Sequence, residues 1–180
     1  MAREVVRTLL VEDNDIDVGV LTLALQEDPI FDYVIIVLNS VHQAEIFLRN
    51  HPEFQLIVLD LVLRNGAGVE MVSRIREVAP HIPLVVVSAL EGVDVEIGSI
   101  QRFADAFVAK KGMVHETFRS MVRQAIVRRR SAIEASPALA LVREARAMLD
   151  DCRENPHLPP YAESTDFRRD ETIAVARNGK

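Results

Sequence analysis

Among its 180 residues the chain has one cysteine, Cys152, and no tryptophan. With a single thiol no internal disulfide can form, so packing alone must hold the fold, and a reducing compartment is expected. No apolar run approaches the roughly 20 residues a helix needs to cross a bilayer. The opening Met1-Ala2-Arg3-Glu4 is charged where a secretory leader would be apolar. These absences lead us to expect a cytoplasmic protein with no membrane contact. Positive charge is also scarce in the front of the chain: residues 1–112 hold 9 Lys and Arg against 17 Asp and Glu, while residues 113–180 hold 12 against 10. Such an acidic front argues against nonspecific nucleic-acid binding there and fits a cation site better.

What the chain does have is a series of short Val/Ile/Leu runs, each ending in a polar residue. Leu9-Leu10-Val11 ends in Glu12-Asp13, Leu56-Ile57-Val58-Leu59 in Asp60, Leu84-Val85-Val86-Val87 in Ser88, and Ala106-Phe107-Val108-Ala109 in Lys110. Runs of this kind, with helical stretches between them, read as buried parallel strands. Strands are expected near Val5–Val11, Tyr33–Leu38, Leu56–Leu59, from Leu84 to Ser88, and Ala106–Ala109. In the first helix Ile16, Val20, Leu23 and Ala24 share one face. Ser40 with Gln43 three residues later gives capping-box spacing for the second. The third helix turns Val72, Ile75 and Ala79 inward, the fourth, from Val93 to Ala104, uses Val93, Ile97 and Ile100, and the fifth runs from Val114 through Arg130. Gly92 and Gly98 make the fourth intrinsically weak.

This is a (βα)5 pattern, and short right-handed connections favour a doubly wound parallel five-stranded α/β sheet of order 2-1-3-4-5. The expected organisation is a domain over residues 1–130, a C-terminal helical extension over 131–154, and a mostly irregular tail over 155–180. Ser136-Pro137 would start a sixth helix reaching about Arg153, with Leu141, Ala145, Met148 and Cys152 on one stripe. That stripe would pack onto its own domain or across a homodimer.

In such a sheet the strand ends share one edge, so Asp13, Asp60, Ser88 and Lys110 converge on one crevice at the switch point. Clustered carboxylates repel unless protons or a cation intervene. Because the donors are all oxygen, Mg2+ suits the site better than zinc, with Glu12, Asp13 and Asp60 as ligands. Beside such a metal Asp60 is a nucleophile towards phosphorus, while Lys110 and Ser88 can contact phosphoryl oxygens. Asp15 and Asp17 read as helix N-terminal charges favouring the dipole.

Glu12-Asp13, Asp60 with Gly68 eight positions on, Ser88 followed by Ala89, Phe107 and Lys110 together resemble the receiver domain of two-component response regulators, the chemotaxis-type phosphoacceptor module. The resemblance covers about residues 5–130. It implies that Asp60 is the phosphoacceptor, that Glu12, Asp13, Asp60 and the backbone carbonyl of Val62 hold Mg2+, and that Ser88 and Lys110 contact the phosphoryl group. It also implies that Phe107 is an aromatic switch and that the donor is a histidine kinase or histidine phosphotransfer protein. Such a module catalyses only its own phosphorylation and dephosphorylation. The chain departs from the pattern at Lys111, where proline usually follows the lysine, and at Arg64, where a lost proline is expected to loosen the loop. Val62 and Leu90 are apolar at the positions flanking water's approach, which predicts a long-lived phosphoryl group. Two other functions fit the residues less well. A nucleic-acid-binding output needs two helices in close succession, and residues 131–180 offer one. A phosphohydrolase would want a second acid at position 62.

Overall fold

The computed structural model describes residues 3–64, 66–89, 97–137 and Leu141. β1 (Glu4–Val11), α1 (Asp15–Gln26), β2 (Phe31–Leu38), α2 (Val41–Asn50) and β3 (Leu56–Asp60) come first, followed by a hairpin of β4 (Val62–Leu63) and β5 (Gly66–Ala67). Then come α3 (Val69–Val78), β6 (Leu84–Ser88), α4 (Ile97–Phe103), β7 (Ala106–Ala109) and α5 (His115–Glu134). The main sheet has the order β2-β1-β3-β6-β7, and each neighbouring pair in it is parallel. This is the expected 2-1-3-4-5 arrangement, with the short hairpin adding two strands to the numbering.

Period-two alternation sorts the strand residues onto two faces. Leu9, Val11, Ile57, Leu59, Leu84 and Val86 pack with Val41, Ala44 and Leu48 of α2, Val72 and Ile75 of α3, and Ile100 of α4. Val6, Leu10, Val58, Val85, Val87 and Val108 pack with Leu21, Ala24 and Leu25 of α1 and with Phe118, Val122, Ala125 and Ile126 of α5. The two central strands, β3 and β6, are buried along their whole length. Each such Val, Leu or Ile contributes about 1.5–3 kcal/mol on burial, so Asp60 and Ser88 are delivered from strands buried at every residue.

The expected inward residues of the third helix, Val72, Ile75 and Ala79, are buried, but α1 is turned differently. Ala24 is buried as expected, but Ile16, Val20 and Leu23 are 76%, 40% and 50% exposed, and Leu21 and Leu25 are buried in their place. The helix is apolar on more than one side, so periodicity alone picked the wrong stripe. Its start is fixed by Asn14, whose side chain accepts a hydrogen bond from the Ile16 N–H at 2.9 Å. Ser40 caps α2 through the Gln43 N–H.

At the amino edge of the sheet Arg76 donates to the Phe103, Ala79, Pro80 and Ile82 carbonyls and, with Arg129, pairs with Asp105. Arg130 pairs with Glu4. Two of the three consecutive arginines of α5 are therefore engaged in holding the domain together. The helix continues to Glu134, past the boundary expected at residue 130, and residues 1–139 form one unit with 140–180 a second. Pro137 and Leu141 are helical. The rest of the expected sixth helix, the tail from residue 155, the start of the fourth helix at Val93, and Leu90 lie outside the described residues.

Candidate functional site

The crevice forms where β1, β3 and β7 end. Lys110 follows β7 directly, its backbone N–H donating to the Ser88 carbonyl at 2.7 Å, and only 11% of its side chain is exposed. Its Nζ donates to Glu12 Oε2 at 2.6 Å and to Asp17 Oδ2 at 2.8 Å, and lies 3.1 Å from Asp60 Oδ2. An ammonium has three N–H donors, and three carboxylates meet it. Glu12 is buried and turns its other oxygen to the backbone N–H groups of Asp13 and Asn14, each at 3.1 Å. Asp60 is also buried, and its Oδ1 accepts from the Val62 N–H at 3.2 Å.

Burial and charge pull the acids and the lysine in opposite directions. Burial pushes the Glu12 carboxyl above its usual range, further than the hydrogen bonds from Lys110 and Asn14 lower it. Burial likewise raises Asp60, against the charge of Lys110 and the Val62 N–H. For Lys110 burial works against the charged form, but the hydrogen bonds of Asp17 and Glu12 and the charges of Asp60 and Glu12 outweigh it and hold the ammonium above the usual lysine value. Lys110 therefore stays charged, and its charge opposes the upward push of burial on both acids.

Asp13 faces the hairpin. Its Oδ2 accepts from the Arg64 backbone N–H at 2.8 Å and lies 3.4 Å from the Arg64 guanidinium. Loss of a proline at this position was expected to loosen the loop. Instead the N–H that proline lacks ties the hairpin to the end of β1. The hairpin closes where the Gly68 N–H meets the Leu61 carbonyl, and Gly68 has φ +93°, a value that favours glycine. Val62 is 39% exposed beside Asp60. Ser88 is buried at the end of β6. Phe107 is partly buried on β7 and lines a cavity of about 520 Å3 with Ala104, Met121 and Arg128. Among the described residues the peptide bonds are trans, Lys110–Lys111 included.

Reasoning from sequence missed Asp17. Its place in the first turn of α1 suits a dipole charge, and the residue that engages it, Lys110, comes from the end of β7, far away in sequence. Among the described residues no three acid, histidine or cysteine groups stand ready to enclose a metal, and the Lys110 ammonium lies against Glu12, Asp17 and Asp60. The donor chemistry of Glu12, Asp13 and Asp60 nevertheless suits a hard divalent ion, being all oxygen.

A doubly wound sheet whose carboxyl edge gathers acids around one lysine is the architecture of an α/β signalling domain. The model of the response regulator receiver domain family matches residues 8–146, and the chain belongs to that family. It is a receiver domain of a response regulator in two-component signalling. It is 29% identical over 126 residues to the alginate biosynthesis transcriptional regulatory protein AlgB of Pseudomonas putida, covering 70% of this chain and 27% of that protein. The chain thus spans about a quarter of that relative. The CheY-like receiver domain protein of Methanospirillum hungatei superposes with a TM-score of 0.60 at 15% identity, over 72% of this chain and 99% of that one. The beryllofluoride-activated NtrC4 receiver domain dimer superposes with a TM-score of 0.59 at 25% identity, over 68% and 98%.

Proposed function

We propose that this chain is a phosphoacceptor that takes a phosphoryl group from a phosphohistidine onto Asp60 with Mg2+ and signals by protein contact. The observation that carries the reading is the buried Asp60 carboxylate held 3.1 Å from a lysine ammonium that also binds Glu12. An Asp60 oxygen forms the new P–O bond as the donor's P–N bond breaks, and the electron pair returns to the imidazole nitrogen. Mg2+, held by Glu12, Asp13, Asp60 and the Val62 carbonyl, would neutralise charge on the transferring phosphoryl oxygens. Lys110 and Ser88 take up the remaining phosphoryl oxygens, and Phe107 turns inward as Ser88 is drawn to them. The chain acts on itself once per phosphorylation, in the cytoplasm, and NtrC4's activated dimer makes a dimeric output the natural one to examine.

Incubation with Mg2+ and a small acyl phosphate should label the chain once, and chelation of the metal should abolish labelling. Steady turnover of phosphate esters would identify a phosphohydrolase instead.

The donor protein must approach the rim from which α1 springs, and α1 exposes Ile16, Val20 and Leu23 there. Such an apolar stripe suits a helical histidine-bearing partner. Leu23→Asp should slow transfer from a cognate kinase or phosphotransfer protein about tenfold or more, as loss of a central apolar contact does. Labelling by the acyl phosphate should be unchanged, and equal losses with both donors would refute the docking role.

Val62 is an apolar side chain at the approach to Asp60. A polar group there can orient water, and one hydrogen bond of about 1 kcal/mol corresponds to about a fivefold effect. Val62→Asn should shorten the phosphoryl lifetime by about that factor, and an equal or longer lifetime in a dephosphorylation time course would contradict the role.

A further inference from the structure

We infer that Asp17 is a positioning residue for Lys110, holding its ammonium at the rim while its two other carboxylate partners change state. The inference rests on the phosphoacceptor reading.

Lys110 is a point charge on a flexible four-carbon stem; its backbone is held by its N–H bond to the Ser88 carbonyl and by the Met113 N–H on its own carbonyl, and neither bond fixes the ammonium. Three carboxylates fix the Nζ: Glu12 at 2.6 Å, Asp17 at 2.8 Å and Asp60 at 3.1 Å. Two of them are altered by the chemistry. Phosphorylation turns Asp60 into a mixed anhydride, which loses the carboxylate charge that attracts the ammonium. A divalent ion at the acids competes with the ammonium for Glu12. Asp17 belongs to neither event.

Its placement follows from local structure. The Asn14 cap fixes the first turn of α1, with the Val18 N–H meeting the Asn14 carbonyl at 2.9 Å, and the buried Leu21, Ala24 and Leu25 fix the helix rotation. Asp17 then faces β7 across the crevice, with 34% of its side chain exposed. When the phosphoryl group arrives, one N–H of Lys110 remains on Asp17 and the two released from Glu12 and Asp60 are free to meet phosphoryl oxygens. An unanchored lysine would have to be ordered during the transfer itself.

The test uses the full chain, Mg2+ and acetyl phosphate, with Asp17→Asn and Asp17→Glu variants. A charge-assisted hydrogen bond lost in the transition state corresponds to about a tenfold effect. Asp17→Asn should lower the labelling rate at saturating donor by about that factor with little change in the half-saturating donor concentration, and Asp17→Glu should restore most of it. The nitrogen–proton resonance of the Lys110 ammonium in the free protein gives a second readout. It should be visible in the native chain and broadened by exchange with water in Asp17→Asn. If Asp17→Asn does not fold, as judged by its amide spectrum, Asp17→Ser should give the same losses. A native labelling rate in the variant, or an unchanged ammonium resonance, overturns the inference while the phosphoacceptor reading stands. Failure of the native chain to label overturns both.

Discussion

Asp60→Asn should reduce labelling by acetyl phosphate to below about one part in a hundred of the native level, since an amide lacks the anionic oxygen on which covalent catalysis depends. The same substitution should make the free protein more stable. Asp60 is buried and its carboxyl is raised above the ordinary aspartate range by that burial. A raised folded-state value means that the folded form binds the proton more tightly than the unfolded form. The group therefore favours folding at low pH and ceases to do so as pH rises through the raised value. At neutral pH the native chain carries the cost of a desolvated carboxylate that the amide avoids, while the amide's neutral oxygen can still accept from the Val62 N–H. We expect a gain of about 1 kcal/mol at pH 7, measured by urea denaturation and shrinking towards pH 4. Equal stability of the two proteins across that range would mean that Asp60 is well solvated, contrary to the geometry.

Lys110→Met should have the opposite effect on stability. Methionine keeps the length and the apolar stem but withdraws the ammonium from Glu12, Asp17 and Asp60. Removing one partner of a buried ion pair costs about 3–5 kcal/mol, and the partial exposure of Asp17 and of the crevice rim lowers this to about 2–3 kcal/mol. The loss should be greatest near neutral pH and smaller in acid, because Glu12 and Asp60, both raised by burial, then take protons and cease to repel each other. Labelling should also fall steeply, since the acids lose the charge that draws a phosphoryl oxygen to the site. A variant as stable as the native chain at pH 7 would show that Lys110 is a surface cation with no structural charge to balance.

The strands were legible because buried parallel strands need unbroken apolar runs, and a run of three or four closed by a polar residue admits little ambiguity about where it stops. Asp60, Ser88 and Lys110 were found for the same reason. Less was legible where several arrangements satisfy the same pattern. Helix α1 carries apolar residues on more than one side, so beside Ala24 the residues Ile16, Val20 and Leu23 look as suitable for the core as Leu21 and Leu25. The hairpin from Val62 to Ala67 was missed because two-residue strands have no periodicity to read. At position 64 the absence of proline predicts only lost rigidity, whereas the backbone N–H that replaces it makes the bond to Asp13, a partner 51 residues away. Asp17 needed the strand β7 opposite it, which no local pattern in the sequence supplies.

The most direct test of the account is to trap the labelled, Mg2+-treated chain with borohydride, which reduces an acyl phosphate at a carboxyl side chain, and to map the modified residue by mass spectrometry. Modification at Asp60 alone, and none in chains from which the metal was withheld, is the predicted result. Modification at Asp13, Asp17 or another acid with Asp60 untouched would contradict it.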